Sequence, residues 1–406
     1  MQTARQLDLP EGAHRGRRFA RCPNAEQSIA LLHEINRGQC RFAPTRPTRP
    51  LVLYGAGNLG RLARDHLRSV GLDFAIVVDR QAERISAEQA WAGVRVVAPD
   101  AVPDSVKAES LLAVSIAQSA YLPLELELMA DGWRHVVPFY DLAESFRDRH
   151  PLSNGWFAEP LAPHEIEATE TVLARWSDDL SRAHHLQFLA WRRLREEWTF
   201  EGAPVSQCVR FFIPEILTRL GTRAVLLDAG AHYGSVTEAF AAQTDGRFAG
   251  VLALEPDDAN RAGYERFLAT IEAETRARIA VSPLALDAQA GERCFHAGLG
   301  YASQFSSTGR TMVETTTIDR LCGSDGLVPT FIKLHLEGAE LPALKGARRT
   351  LARHRPLVAA TVYHNDDGLY RTAAYLADTL PQTTLLFRLH GWCGTGAVVY
   401  AVPNGS

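Results

Sequence analysis

The sequence predicts an α/β fold: a small parallel-sheet domain, a helical connector, and a larger parallel-sheet domain edged by an antiparallel hairpin. Three features carry this expectation. Short apolar strands alternate with amphipathic helices twice along the chain, from Leu51 and again from Ala224, and such alternation means parallel strands covered by helices. Each series opens on a strand that runs into a glycine turn, GAGNLG in the first and DAGAHYG in the second. The last two strands, TLLFRLH and GAVVYAVP, are joined through GWCGTG, which leaves no room for a helix and so makes them antiparallel.

Composition sets the bounds. The 406 residues are 46% hydrophobic and 22% charged, ordinary for a globular chain of two or three domains. A net charge of -4 gives no general attraction to nucleic acid or anionic membrane. Arginine supplies nearly all the cations, with Lys107, Lys333 and Lys345 the only lysines, a bias read as coding preference. Six cysteines are scattered without a CxxC pair, so neither a zinc site nor a disulfide framework is expected and a reducing compartment fits. The polar N-terminus and the absence of a long apolar run predict a cytoplasmic protein with neither leader nor membrane span.

The elements follow in order. Residues 1–48 form a basic arm with GAHRGRRFAR, one short helix around 26–37, and the linker APTRPTRP; such an arm is a solvated tail or a cover for a neighbouring domain. Residues 49–148 give five strands, LVLY, DFAIVVDR, GVRVVAP, SLLAVSI and HVVPFYD, with helices at RLARDHLRSVG and LPLELELMADG, a small Rossmann-like domain. Gly55, Gly57 and Gly60 fall between strand and helix, and Asp79 ends the next strand. That is the setting of a dinucleotide fingerprint, so these four residues are a candidate second site for a nucleotide or nucleotide-sugar. The competing reading is a scaffold whose glycines serve tight packing, and the missing second half argues against a nicotinamide enzyme. Residues 149–222 read as a helical connector through EIEATETVLARWSDDL and HHLQFLAWRRLREEW, with Trp176, Trp191 and Trp198 as core.

From 223 to 406 the strands AVLLDAG, GVLALEP, ARIAVSPLAL, FIKLHL and LVAATVYH precede the final pair. Asp228 stands before Gly230, His232 and Gly234, Glu255 ends the second strand, and Asp287 follows the third. Acids at three consecutive strand ends describe a site for a nucleoside without phosphates: Asp228 toward an amine, Glu255 toward ribose hydroxyls, Asp287 toward an adenine amine, with the glycines allowing close approach.

The run from about 208 to 402 resembles the FkbM family of S-adenosylmethionine-dependent methyltransferases, through LLDAGAHYGSVTEAF, LALEPDDAN, VETTTIDRL and above all FIKLHLEGAELPALKGA. The resemblance implies a class I methyltransferase sheet, S-adenosylmethionine as cofactor and oxygen acceptors. His335 departs from the family pattern IKxDxEGAE, where Asp is expected. This reads as lost or as retuned activity, and intact neighbours favour the second. Lys333, His335 and Glu337 alternate on one strand face, with Lys333 expected to pair with an acid such as Glu337. The next strand brings His364 and Asn365 to the same edge. The catalytic set is therefore His335, Glu337 and His364, with one histidine as base and Glu337 as orienter or substrate-binding acid. His232 and His390 are further candidates for that cluster. No metal is assigned, a divalent ion held by His and Glu being the lesser alternative. Tyr301, Ser303, Gln304 and Ser306 lie in a glycine-bearing loop that is either a lid or plain surface. The expected reaction is methyl transfer to a hydroxyl of a sugar or secondary metabolite. N-methylation, a non-catalytic nucleotide-binding scaffold and a nicotinamide-dependent oxidoreductase are the competing readings.

Overall fold

The computed structural model describes residues 5–6, 10, 12–150, 152, 155–324 and 328–404. The chain forms two compact units, the first made of residues 1–161, 183–205 and 391–395, the second of 162–182, 206–390 and 396–406. The residues expected as a separate connector are thus shared between the units.

In the first unit, strands β1 (Leu51–Tyr54), β2 (Ile76–Val78), β3 (Val96–Val97), β4 (Leu111–Val114) and β5 (His135–Pro138) form a sheet in the order β3-β2-β1-β4-β5, parallel throughout. These are the five strands read from the sequence. β1, β2 and β4 are buried end to end, as expected of strands covered on both faces. Val52, Val78, Leu112, Leu128, Trp133 and Trp191 form their core.

The arm departs from expectation. Its helix is present as Ala25–Arg37, closed by an Asn24 capping box, but residues Arg15–Phe19 form a strand paired in parallel with Glu196–Phe200. His14 is buried, with its ring 2.7 Å from Glu125 and stacked on Phe42. The arm is part of the unit's core and not a solvated tail; its first residues lie outside those described. Pairing with this arm also explains why the helix predicted through REEW stops at Leu194. Arg195 turns to φ +58, its buried guanidinium is 3.0 Å from the buried Asp141 carboxylate, and the chain continues as a strand. Trp176, Trp191 and Trp198 are all buried, as read.

In the second unit, β6 (Val225–Ala229), β7 (Gly250–Leu254), β8 (Ile279–Ser282), β9 (Phe331–Leu334), β10 (Leu357–Thr361), β11 (Thr383–Leu389) and β12 (Ala397–Pro403) run in the order β8-β7-β6-β9-β10-β12-β11. The first five are parallel, and β12 is antiparallel to both β10 and β11. The hairpin is therefore inserted with its second strand inward. Leu226, Phe240, Phe331, Ala359 and Tyr400 are fully buried in the main core, each large side chain contributing roughly 1.5–3 kcal/mol. A second, four-stranded sheet lies between residues 285 and 316. Helix α1 (Ser235–Gln243) follows β6 and helix α2 (Asp258–Leu268) follows β7. Two consecutive strand ends therefore open onto helix N-termini.

Candidate functional site

The reversal of strand order between β6 and β9 opens a crevice at the carboxyl ends, where ligands bind in open α/β sheets. Lys333, on β9, lies in register with Asp228 on β6. Its buried ammonium donates to Asp228 Oδ1 at 2.8 Å and to the carbonyls of Ala229 and Gly230 at 3.1 and 2.8 Å. The other Asp228 oxygen accepts from Thr237 at 3.0 Å. Two expectations are corrected here: Lys333 pairs with Asp228 and not Glu337, and Asp228, fully buried, does not line the crevice. A carboxylate enclosed between strands must be paired, and the neighbouring strand supplies the partner.

Gly230 has φ +71, and a Cβ there would sit 1.9 Å from the His335 carbonyl oxygen. Gly234 has φ +90, with the Phe267 ring 2.5 Å from the added carbon. Both glycines allow the turn to pack. His232, at φ +50, donates its backbone N–H to Glu255 Oε2 at 2.7 Å, while Glu255 Oε1 accepts from Asp257 N at 3.0 Å and Asn260 Nδ2 at 3.3 Å. Burial raises the Glu255 pKa against these hydrogen bonds.

Gly230, His232, Glu255 and Asn260 line a cleft together with the apolar Leu286 and Phe305 and with His335 and Glu337. Two buried polar atoms of these lining residues, His232 Nε2 and Asn260 Oδ1, have no hydrogen-bond partner among the described residues. Such orphans are uncommon unless a ligand or water meets them. The donor set fits an adenosyl group, with a carboxylate for ribose hydroxyls, unpartnered polar atoms beside it and a flat apolar wall for the base.

The loop expected as lid or surface is tied down. Asp257 Oδ2 accepts from Gly298 N and Ser303 Oγ, both at 2.7 Å, and Asn260 Nδ2 donates to the Gly300 carbonyl at 2.9 Å. Tyr301 and Ser303 line the cleft. Gln304 is buried, and Ser306 bonds Thr308 on the surface. Asp287 is a further correction: it ends the short strand Ala285–Leu286 of the second sheet, its carboxylate 3.0 Å from Arg293, outside the cleft lining.

At the end of β9 the regular alternation stops. Glu337 has φ +49, which turns its carboxylate inward so that Oε1 lies 3.1 Å from both His335 Nε2 and His364 Nε2. His364 Nδ1 is 3.2 Å from Glu340 Oε1, which also accepts from Thr361 at 2.5 Å and Leu336 N at 2.9 Å. Tyr363 Oη is 3.2 Å from His335 Nε2 and accepts from Arg210 at 3.1 Å. Burial alone raises the Glu337 pKa, but the His364 charge and hydrogen bonds from both imidazoles outweigh it and bring the group to about 2. Burial opposes charge on His364 too, yet the charge of Glu337 and hydrogen bonds to both carboxylates raise it well above the ordinary value. His364, with a carboxylate at each ring nitrogen, therefore has no free lone pair to act as base. Burial also lowers the pKa of His335, the imidazole that lines the cleft.

Thus His335, Glu337 and His364 come together, as read. His390 does not join them, being held by the Ser206 carbonyl at 2.5 Å and Tyr400 at 2.8 Å. Asn365 clamps the Gly338 carbonyl at 2.9 Å. Glu340, Asn260 and Tyr363 were not singled out in the sequence; the second acid of EGAE was the available signal for Glu340.

In the first unit, Asp79 turns its carboxylate to Ala56 N at 2.8 Å and Gln81 N at 2.7 Å. A Cβ on Gly60 would meet the Gly55 carbonyl at 2.2 Å, and one on Gly55 would meet Ile116 at 2.8 Å, whereas Gly57 faces open space. Two of the three glycines, and the acid, are accounted for by the turn itself.

A parallel five-stranded sheet with this antiparallel edge pair and this cleft is the α/β class I methyltransferase fold. Residues 228–382 match the family model described as the methyltransferase FkbM domain. Methyltransferase FkbM from Methylobacillus flagellatus KT is similar to this chain at 18% identity, with 94% of each chain covered and a TM-score of 0.59, a likeness of fold. Precorrin-6y C5,15-methyltransferase from Geobacter metallireducens GS-15 is 12% identical over 49% of this chain and 93% of its own, with a TM-score of 0.29. No curated protein matches the chain. Among the described residues no helix is long and apolar enough to cross a membrane.

Proposed function

We propose that the second unit transfers a methyl group from S-adenosylmethionine to a hydroxyl oxygen of a small acceptor of the sugar or secondary-metabolite type. The observation that carries the reading is the cleft lining: Glu255 flanked by the unpartnered His232 Nε2 and Asn260 Oδ1, in one cleft with His335 and Glu337. The cofactor, when bound, supplies an electrophilic sulfonium methyl. Glu255 would accept from the ribose hydroxyls, His232 and Asn260 would satisfy polar atoms of the nucleoside, and Leu286, Phe295 and Phe305 would exclude water around the base. The acceptor hydroxyl would lie against His335, whose ring Glu337 orients from 3.1 Å, so that its proton is drawn into the His335–Glu337 pair as the oxygen attacks. Holding nucleophile and methyl in line can supply up to roughly 7–11 kcal/mol of the barrier, and proton removal about 10²–10⁴ in rate.

Calorimetry with S-adenosylhomocysteine tests the binding half. The expected result is one site in the second unit, weakened at least tenfold by Glu255→Gln. His335→Ala should leave that affinity within about threefold while lowering turnover on hydroxylated acceptors by about 10²–10⁴. Absence of nucleoside binding overturns the reading; binding without turnover on any acceptor favours the non-catalytic scaffold.

A further inference from the structure

Three donor atoms just past the ends of β9 and β10 have a geometry that an orienting hydrogen bond does not require. Glu337 Oε1 stands 3.1 Å from each imidazole Nε2, and all three atoms lie within 4.8 Å of one another. Donors bound about 2.0–2.2 Å from one ion in tetrahedral or octahedral arrangement are themselves roughly 3–3.5 Å apart. Two edges of this triangle match that spacing, and the third is no longer than 4.8 Å. We infer that His335, Glu337 and His364 form a binding site for a divalent transition-metal ion, facing the cleft. The inference rests on the cleft being the methyl-transfer site only for the ion's role, not for its binding.

Four further observations support a built site. His364 turns its second nitrogen to Glu340 Oε1 at 3.2 Å, the carboxylate–imidazole pairing that fixes ring orientation behind metal ligands. Glu340 is itself fixed by Leu336 N at 2.9 Å and Gly338 N at 3.0 Å. Two buried carboxylates, Glu337 and Glu340, share the cluster; Lys333 is engaged with Asp228, and Arg210 hydrogen-bonds Tyr363. A dication that displaces the proton from His364 Nε2 would take over from the imidazolium in balancing both carboxylates. Finally, the side chains are enclosed but not sealed, with relative exposures of 18% for His335 and 7% for Glu337, which leaves a coordination position open toward the cleft.

Two imidazoles and one carboxylate suit Zn²⁺, Co²⁺, Ni²⁺ or Fe²⁺ better than Mg²⁺ or Ca²⁺, which prefer oxygen. An acceptor hydroxyl on the open position would be acidified by the ion. A His335 ligated through Nε2 keeps its Nδ1 proton, so the ion would then take over the activating part.

The test uses the full chain, stripped with a chelator and titrated with Co²⁺ in the absence of nucleoside. One equivalent is expected, with visible absorption bands and two imidazole ligands in cobalt-edge X-ray absorption; Zn²⁺ should displace it and Mg²⁺ should not. Glu337→Gln should weaken binding at least 100-fold, and Glu340→Gln, which acts only through His364, about 10- to 100-fold, both with unchanged circular dichroism. No uptake by the wild-type chain, a cobalt site without imidazole, or equal affinity in Glu337→Gln overturns the assignment. The X-ray measurement stands even if a variant does not fold. Because no nucleoside is present, failure here leaves the methyl-transfer reading standing, and failure of nucleoside binding leaves the ion site standing.

Discussion

Replacing Lys333 by Met removes one half of an ion pair whose side chains are 1% and 0% exposed. Asp228 would then keep only Thr237 as partner, and the carbonyls of Ala229 and Gly230 would lose their bonds to the ammonium. Breaking one side of a buried pair costs about 3–5 kcal/mol, chiefly because the remaining charge is left uncompensated. That is a large share of a folding free energy of about 5–15 kcal/mol. Exchanging both partners for apolar residues is far better tolerated. Lys333→Met combined with Asp228→Leu should therefore recover at least half of the single loss, with a coupling of roughly 2–3 kcal/mol in the double-mutant cycle. Urea denaturation, with hydrogen exchange of the β6 and β9 amides as local readout, measures both. A single-variant loss under about 1 kcal/mol, or a double variant no more stable than Lys333→Met alone, would refute the view that this pair holds the glycine turn against β9.

Other outcomes follow from the same geometry. Gly230→Ala should destabilise the second unit by about 2–4 kcal/mol, since left-handed backbone disfavours a Cβ and the added carbon meets the His335 carbonyl; unchanged urea midpoints would contradict this. In the first unit, Gly60→Ala should cost about 1–3 kcal/mol while Gly57→Ala stays within about 1 kcal/mol, and the reverse ranking in thermal melts would show that the turn is shaped by something other than its own packing. Acid should weaken the fold through His66 and His185, whose pKa values burial lowers to about 3. The unfolded chain takes up these protons below about pH 6.5 and the folded chain does not, so stability falls with pH, by about 5 kcal/mol for the two between pH 6.5 and 4.5. His66→Leu should reduce the slope of urea-derived stability against pH by one proton over that interval, and an unaltered slope would rule its burial out as a cause.

How much of this could be read from the residues depended on whether local pattern or a distant partner decided the outcome. The strands of both parallel sheets were legible because each is an apolar run bounded by turn residues, and the edge hairpin because GWCGTG cannot hold a helix. The arm was not. Nothing in RGRRF announces that it will pair with Glu196–Phe200, nearly the whole first unit away in sequence. REEW carries helical spacing, yet the Arg195–Asp141 pair and this strand pairing override it. Glu255 and the His335–Glu337–His364 cluster were legible because strand ends converge on one edge by topology. Asp228 was placed at the right strand end and given the wrong neighbour, since which side of a turn a carboxylate faces is settled by Lys333 across the sheet.

The opening of FIKLHLEGAE from strand into turn is where regular alternation would have misled most. Continued as a strand, Glu337 would stand in line with Lys333 and His335. Instead Glu337 at φ +49 and Gly338 at φ +102 reverse the chain within two residues, and the left-handed backbone of Glu337 costs about 1–2 kcal/mol. Glu340 accepting from Leu336 N and Gly338 N, with Asn365 donating to the Gly338 carbonyl, offsets that strain from outside the two residues. Non-glycine residues held this way cluster at sites where a side chain must be aimed. Here the aimed group is the carboxylate that both imidazoles share. The position of Glu337 is therefore a property of the turn and of its clamps, Glu340 and Asn365.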